Sequence, residues 1–373
     1  MIIDFKGLLD EMEDSEIFAI ANDARPGSDY LLNSVLPEVK RRGYSAKSNK
    51  MRIKSTMAKL VAMDSPYPRS GVSERSGFEH AIAKMAVEMP FPEAYLRELR
   101  DLVQGLLAQN VDGKEQLVET MFNFTDKLLV QPHLDTAEWL RGQALFTGEI
   151  DWESDGIHLE VDYGIPDDNF LTARTGGDGY GGATSKFWTD WHEAQRILKN
   201  RVTGVIMRTE TLQTIMYNPV NGIKVVKADD VGGIFQFQRV VAMNGVNVIS
   251  DDARDNITVI VHDGEGEVLD ESALGTGATK VLPFVPVGAI GVIGKYDSRQ
   301  FVVGTGSTPD PTPIQLGYTH VGPTEEGNGR LGRWANAYVP QGQQWQFIGQ
   351  SASNVLPVID APERIVIMTT EVV

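Results

Sequence analysis

Helical spacing of apolar residues dominates residues 92–146. Apolar side chains recur there every three or four positions, as they do on one face of a helix. Pro132 is expected to interrupt this run, because proline lacks the amide hydrogen and its ring clashes with the preceding turn. Asp135 or Thr136 would then cap a further piece, with Glu138 near its first turn, where the helix dipole favours an acid. The apolar positions are Tyr95, Leu99, Leu102, Val103 and Leu106, then Leu117, Met121, Phe124 and Leu128.

Strand-like alternation follows in the next part of the chain. Ile157, Leu159 and Val161 alternate with polar residues, which predicts a strand with one buried face, entered through a turn at Asp155-Gly156. Residues 188–200 and 211–217 are predicted to be helical, and residues 205–208 and 223–227 extended. Strands that alternate with helices, followed by a strand-rich C-terminal half, predict an α+β fold.

The glycine-rich segment from Gly176 to Gly182 predicts a mobile connection. A phosphate-binding P-loop needs Lys and then Ser or Thr directly after the last glycine, because these side chains contact the phosphates and magnesium. Ala183 and Thr184 stand there instead. A dinucleotide fingerprint fails as well, because no buried parallel strand leads into the glycines.

Composition narrows the class of protein. The chain has 373 residues, of which 42% are hydrophobic, and it contains no cysteine. The length predicts at least two packed regions, and the hydrophobic fraction predicts a globular protein. The lack of cysteine excludes disulfides and thiolate metal sites and fits a reducing cytoplasm. No apolar run approaches the ~20 residues that span a bilayer, and residues 1–6 lack the pattern of a secretory signal. We therefore expect no membrane partner.

The charge is acidic with one local exception. The formal net charge is -17, which disfavours tight binding to a phosphate backbone and favours solubility. Residues 40–59 carry eight Lys or Arg residues, and no acid lies between Val39 and Met63. We interpret residues 51–63 as extended, residues 66–71 as a turn, and residues 78–89 as a returning strand or short helix; a solvated surface loop is the alternative. The basic residues are Lys40, Arg41, Arg42, Lys47, Lys50, Arg52, Lys54 and Lys59.

Candidate metal motifs are incomplete. His192-Glu193 begins like a zinc-protease motif, but Arg196 stands where the second histidine ligand belongs. His133 and Asp135 are interpreted as capping or surface residues. The third candidate is a set of acids that lacks the glycine and the glutamate that a calcium-binding loop needs at its sixth and twelfth positions. We interpret these side chains as solvated; they are Asp251, Asp252, Asp255, Asp263, Glu265 and Glu267. We assign no metal-ligating residue.

Candidate catalytic motifs are also incomplete. Neither Ser307 nor Ser351 lies in the Gly-x-Ser-x-Gly elbow of a hydrolase. The 51 acids could include a carboxylate pair for glycoside hydrolysis, and the six tryptophans could line a sugar site. Trp139 and Trp152 lie in patterned elements and are interpreted as core. We assign no catalytic or cofactor-binding residue and expect no cofactor, while an acidic carbohydrate-active enzyme or sugar-binding module stays open.

Seven short segments carry a further signal through their order. They are residues 138–150 (EWLRGQALFTGEI), 161–164 (VDYG), 187–188 (FW), 281–288 (VLPFVPVG), 317–327 (GYTHVGPTEEG), 350–358 (QSASNVLPV) and 364–369 (RIVIMT). Their order, from about Leu31 to the C-terminus, resembles that of tailed-phage major capsid proteins of the lambda type, the major capsid protein E family.

The resemblance implies a Hong Kong 97-like major capsid fold with four parts. An N-terminal arm would comprise residues 1–38, and an extended hairpin loop residues 39–90. A peripheral domain with a spine helix would comprise residues 91–186, completed by residues 345–373, and an axial domain residues 187–344. The proline at position 132 departs from an uninterrupted spine helix.

The resemblance also implies a structural function without enzymatic activity. Copies would assemble into hexamers and pentamers of an icosahedral head that encloses double-stranded DNA without sequence-specific binding. The implied partners are the chain itself, a scaffolding protein, a portal and a decoration or cement protein. The implied location is the virion, after assembly in the host cytoplasm. A nanocompartment shell protein of the same fold is the alternative within this class.

Overall fold

The computed structural model describes residues 30–54, 73–91, 97, 101, 125–154, 157–229, 234–243, 246–249, 256–269, 279–295, 300–303, 315–338 and 347–372. Its α-helices are α1 (Gln131–Phe146), α2 (Phe187–Ile197) and α3 (Thr209–Tyr217). Its first strands are β1 (Glu38–Lys40), β2 (Ser45–Lys54), β3 (Ser73–Ala81), β4 (Ala83–Phe91), β5 (Glu149–Ser154), β6 (Ile157–Asp162) and β7 (Val202–Met207). They are followed by β8 (Ile223–Asp229), β9 (Ile234–Met243), β10 (Val246–Ile249), β11 (Asn256–Val261), β12 (Glu265–Leu269), β13 (Thr279–Pro283) and β14 (Ala289–Gly294). The last are β15 (Gln300–Val303), β16 (Gly317–Val321), β17 (Pro323–Thr324), β18 (Arg330–Leu331), β19 (Trp334–Tyr338), β20 (Phe347–Ile359) and β21 (Ile365–Thr369).

A seven-stranded sheet forms the first layer. Its order is β10-β9-β11-β7-β14-β21, and β8 pairs with β9. β7 and β11 are parallel, whereas β14 pairs antiparallel with both β7 and β21. Side chains of a strand alternate between the two faces of a sheet, and both faces of β7, β14 and β21 are buried. This explains why these strands are almost continuously apolar.

The two faces of this sheet pack against different partners. On the outer face, Val205, Val292 and Val366 join one apolar cluster with α2 and α3. On the inner face, Ile206 and Ile293 join a second cluster with α1 and the start of the described chain. The sheet is therefore a wall between two cores.

A five-stranded sheet lies on the other side of α1. Its order is β1-β16-β20-β19, and β4 pairs with β20. β1 runs parallel to β16, with Glu38 opposite Thr319. The long strand β20 pairs with β4, β16 and β19, so it organises this sheet.

β2 and β3 form an antiparallel pair in the predicted hairpin region. Their register runs from Ser45 opposite Ala81 to Ile53 opposite Ser73, and β15 pairs with the other edge of β2. The turn predicted at residues 66–71 lies outside the described residues. β5 and β6 form a separate two-stranded hairpin, as the alternation of Leu159 and Val161 predicts.

The prediction that Pro132 interrupts the spine helix is wrong. A π-helical segment, Thr125–Val130, runs directly into α1. Pro132 lies in the first turn of α1, where a missing amide hydrogen costs least. The predicted cap at Asp135 or Thr136 is also wrong, because the helix begins earlier and the Thr136 hydroxyl donates to the carbonyl of Pro132 at 2.8 Å.

Gly142 lets the segment before β14 cross α1 closely. A Cβ atom at Gly142 would lie 1.8 Å from the carbonyl oxygen of Phe284. Phe284 is buried, and its amide donates to the carbonyl of Gly264. The segment VLPFVPVG is thereby fixed across the helix, between the two sheets.

The four-part division of the chain remains a prediction. The strand pairing shows how its segments interleave. β16 and β19 share a sheet with β20, whereas β21 pairs with β14. The C-terminal residues 345–373 therefore contribute one strand to each of the two large sheets.

Candidate functional site: the buried junction at α1

Two carboxylates and two guanidinium groups meet between α1 and the five-stranded sheet. We call Glu38, Glu138, Arg141 and Arg333 the buried charge cluster. The Arg141 and Glu138 side chains are fully buried, and Arg141 Nη1 donates to Glu138 Oε2 at 2.8 Å. Arg141 Nη2 lies 3.1 Å from Glu38 Oε1, and Arg333 binds the same oxygen. Each buried charge therefore has an opposite partner, as burial of ions requires.

Local structure explains how the cluster forms. Glu138 and Arg141 are three residues apart on α1, which places them on one face of the helix. Arg141 Nε donates to the Thr319 hydroxyl at 2.9 Å, and that hydroxyl donates to the carbonyl of Leu36 at 2.7 Å. The cluster thus links α1 to β16 and to the chain before β1.

Residues 30–41, which we call the strap, are held by this cluster. The Leu32 amide donates to Glu138 Oε1 at 2.7 Å. Leu32, Val35 and Leu36 are fully buried in the inner core. The Tyr30 hydroxyl donates to Asp135 Oδ1 at 2.7 Å, and burial together with this carboxylate raises the pKa of Tyr30. The strap is therefore part of the packed structure.

Two buried histidines lie beside the cluster. His133, which we expected to cap a helix or lie at the surface, is 1% exposed, with Nε2 2.8 Å from Ser351 Oγ. Burial, assisted by the charge of Arg333, lowers the pKa of His133 to about 4. His262 Nε2 lies 3.3 Å from Glu138 Oε1. The interpretation of His133 was wrong because its hydrogen-bond partner, Ser351, is 218 residues away in sequence.

A second polar group lies beside the glycine-rich segment, which is not a free connection. Tyr180 is fully buried, and its hydroxyl donates to Asp190 Oδ2 at 3.0 Å. Arg174 makes a two-pronged ion pair with Asp190 at 2.7 and 2.8 Å. Asn218 donates to the carbonyls of Tyr180 and Gly182. These bonds bind the segment to α2 and α3, which contradicts the predicted mobile connection.

Three of the remaining acids singled out in the sequence have structural partners. Asp263 accepts hydrogen bonds from the amide and hydroxyl of Thr209, and Glu265 pairs with Arg208. Glu193 pairs with Arg196 on the surface of α2. Asp251, Asp252 and Asp255 lie outside the described residues. Across the part of the chain that the structure describes, no group of three or more His, Asp or Glu side chains is placed to hold a metal ion.

The arrangement at α1 fastens chain segments together. His133 and Ser351 would resemble a base and a nucleophile, but both are buried, at 1% and 3% exposure. No described acid is hydrogen bonded to the other ring nitrogen of His133. What the junction can do is hold the strap, α1 and β16 in one register.

The basic segment is described only in part. Arg41 stacks on the Tyr318 ring at 4.0 Å and Arg42 is exposed. The backbone of Lys47, Lys50, Arg52 and Lys54 lies in β2, and Lys59 lies outside the described residues. None of the described helices is long and apolar enough to cross a membrane.

Sequence reasoning missed the charge cluster. Glu38, Arg141 and Arg333 were not singled out, and Glu138 was noted only as a helix-end acid. The one local signal is the i, i+3 spacing of Glu138 and Arg141, which surface helices also show. The pairing with Glu38 and Arg333 spans 103 to 295 residues of sequence.

Comparison with known proteins gives the fold a name. No protein-family model and no curated protein matches the sequence. The crystal structure of a protein provisionally assigned as a prophage capsid protein of E. coli is similar with a TM-score of 0.55. The match has 11% identity and covers 98% of this chain and 97% of that one.

Two further structures are similar at lower scores. A phage-related protein from Bordetella bronchiseptica has a TM-score of 0.45 and 11% identity, over 95% of each chain. An encapsulin complex from Synechococcus elongatus has a TM-score of 0.42 and 8% identity, over 94% of this chain and 93% of that one. The prediction of an α+β, Hong Kong 97-like capsid fold is confirmed by the E. coli structure over almost the whole chain.

Proposed function

We propose that this chain is the major structural subunit of a tailed-phage head. The observation that carries the proposal is the capsid-protein fold, matched over 98% of the chain without a large unmatched domain. A shell subunit needs a rigid body and segments that reach its neighbours, because heterologous contacts close only when the rotations are right. The four-part division into arm, hairpin loop, peripheral domain and axial domain belongs to this proposal.

The described polar groups support a structural function over an enzymatic one. The strongest candidates for chemistry are buried and saturated by partners, as at Glu138, Arg141 and Asp190. A catalytic site needs side chains that a substrate can reach. We therefore propose that the chain is not an enzyme, and that the carbohydrate-active alternative is the weaker reading.

The proposed partners follow from this function. Copies of the chain would form hexamers and pentamers of the head, with a scaffolding protein, a portal and a decoration protein as accessory partners. The proposed location is the virion, after assembly in the host cytoplasm. The net charge of -17 suits a wall that encloses double-stranded DNA without adhering to it.

Sedimentation velocity of the purified chain, with and without a co-expressed scaffold, tests this proposal. We expect capsomers or closed particles in place of a 41.0 kDa monomer. A monomer under all salt and crowding conditions would contradict the proposal. A glycan-binding screen provides the second arm, since saturable binding by a monomer would favour the carbohydrate-active alternative.

The nanocompartment alternative makes a different prediction for particle contents. A phage head, produced with its packaging machinery, holds nuclease-protected double-stranded DNA. A nanocompartment holds protein cargo. Particles that contain a stoichiometric protein and no protected DNA would favour the nanocompartment.

A further inference from the structure

Two arginines fasten the C-terminal part of the strap. Arg333 binds Glu38, which lies in β1. Arg41 lies at the end of the strap, stacks on the ring of Tyr318 and donates to its hydroxyl at 3.1 Å. The strap therefore has two cationic anchors. Arg333 lies outside residues 30–41 and binds the strap at Glu38, whereas Arg41 is part of the strap and binds Tyr318 in β16.

A buried histidine lies beside the first anchor. The ring of His133 is 1% exposed and its Nδ1 makes no hydrogen bond within the described residues. Burial and the positive charge of Arg333 both lower the pKa of His133, to about 4. The ring is thus neutral at pH 7, and a proton on it would add a second positive charge beside Arg333.

A second buried histidine lies beside the other anchor. His320 is 3% exposed and faces Val39 of the strap in the parallel register of β1 and β16. Its Nε2 lies 3.2 Å from the carbonyl oxygen of Gly43, and its Nδ1 makes no hydrogen bond to any described residue. Burial lowers the pKa of His320 and the charge of Arg41 adds to this, while the Gly43 carbonyl acts in the opposite direction.

No carboxylate of the described chain pairs with either of these two histidine rings. Within the described chain, neither His133 nor His320 is hydrogen bonded or ion paired to a carboxylate. The carboxylates of Glu38 and Glu138 are bound by Arg141 and Arg333. Neither Glu38 nor Glu138 can therefore move to a charged ring without leaving an arginine, and the nearby Asp135 is already bound by Tyr30 and Gln131.

His262 provides the internal contrast. It is also buried, but its Nε2 lies 3.3 Å from Glu138 Oε1. A positive charge on His262 would therefore face an anion. Among the histidines whose side chains the structure describes, only His133 and His320 combine burial with a neighbouring arginine that holds the strap.

We infer that His133 and His320 form an acid-sensitive latch on the strap. While both rings are neutral, Arg333 and Arg41 hold residues 30–41 against α1 and β16. When both rings become charged, the buried Arg333 and the half-buried Arg41 each face a like charge in a medium of reduced dielectric constant. Opening the strap takes Arg41 away from His320 and releases Arg333 from Glu38, so that Arg333 can turn away from His133 and water can reach the rings. The charged ring is stable in water, so acid favours local opening. This inference concerns the single chain and does not depend on the proposed function.

Hydrogen exchange of the full chain, followed by mass spectrometry and corrected for the intrinsic rate, tests the latch. We expect the protection of peptides within residues 30–41 to fall by at least about tenfold between pH 7 and pH 4.5. The reason is that the open strap binds protons on the two histidines more tightly than the closed strap does, so acid favours the open state. Peptides of α2 should keep their protection over the same range. A strap that stays protected at pH 4.5, or α2 peptides that open together with it, would overturn the inference.

Substitutions separate the latch from other effects of acid. The double variant His133→Gln with His320→Gln carries no titratable ring at either anchor. Its peptides within residues 30–41 should therefore lose less than about threefold in protection between pH 7 and pH 4.5. His262→Gln is the matched control, and protection of its strap should fall in acid as much as in the wild type. A double variant that opens in acid as readily as the wild type would overturn the inference. If the double variant does not fold, the single variant His320→Gln replaces it in the test. Its strap must lose less protection in acid than that of the wild type, and an equal loss would overturn the inference.

Discussion

The two faces of the seven-stranded sheet are held by different interactions. The outer face packs apolar side chains of β7, β11, β14 and β21 against α2 and α3, and its main ion pair, Arg174–Asp190, leaves the arginine 27% exposed. The inner face packs against α1 and the strap, and there Arg141 and Glu138 are fully buried. Apolar packing tolerates volume-conserving exchanges, whereas a buried ion pair fails when one partner is removed. The inner face should therefore be the more fragile of the two.

Arg141→Met is expected to have the largest effect. It removes the cation shared by Glu38 and Glu138, and loss of one partner from a buried pair costs ~3–5 kcal/mol of the free energy of unfolding. Chemical denaturation measures the loss. Arg174→Met on the outer face is the comparison and should lose less, because its guanidinium is partly solvated and Asp190 keeps the Tyr180 hydroxyl. Equal losses would remove the distinction between the faces.

Leu140→Ala tests whether apolar burial differs between the faces as well. Leu140 is 3% exposed on α1 and Leu212 is 4% exposed on α3. Each substitution to alanine should cost ~2–5 kcal/mol through lost burial and a cavity. If denaturant titrations show that the two substitutions lower the free energy of unfolding by similar amounts, the greater fragility of the inner face is due to its buried charges and not to its apolar packing. A wild-type melting curve for Leu140→Ala would show that the inner core is misassigned.

Acid should weaken the inner face selectively. The pKa of His133 is about 4 in the folded chain, below the ordinary value of about 6.5. The unfolded chain therefore binds the proton more readily, so this contribution to stability is complete above pH 6.5 and is lost as the pH falls toward 4. The full loss is ~3 kcal/mol. Unfolding titrations of His133→Gln should show a shallower pH dependence than the wild type, and an unchanged slope would contradict the assignment.

The sequence predicts the outer face better than the inner one. α2 and α3 follow from local periodicity, since their buried apolar positions face one core. The β5–β6 hairpin also follows from local alternation, although its Ile150 and Val161 join the inner core. The inner face depends on Glu38 and Arg333, which lie 295 residues apart, and no local pattern connects them. The glycine-rich segment was misread for the same reason, because Asp190 and Asn218 bind its Tyr180 from other elements.

Pro132 shows a second limit of local reasoning. Its effect on a helix depends on where the helix begins. The preceding π-helical turn places it in the first turn of α1. The segments around Phe284 and Thr319 entered the sequence analysis only as carriers of a family resemblance, which predicted no contact between them. Their contacts with Gly142 and Arg141 are visible only in the structure.

Reversal of the basic segment should have the smallest effect on the single chain. Changing Lys50, Arg52 and Lys54 to Glu alters the end of β2, where the backbone pairs with β3 and β15, and leaves the buried Ala46 at its start unchanged. We expect a nearly unchanged melting temperature but impaired particle formation, because exposed charge pairs between copies are screened and individually weak. High salt should weaken wild-type assembly in the same direction. A reversed variant that assembles normally would favour a merely solvated loop.

Electron cryo-microscopy of the wild-type chain, expressed with its scaffold, tests the central claim most directly. We expect closed shells or capsomers in which this fold repeats around five-fold and six-fold axes, with the strap and α1 packed as described. Monomers alone, in every salt and crowding condition, would contradict it.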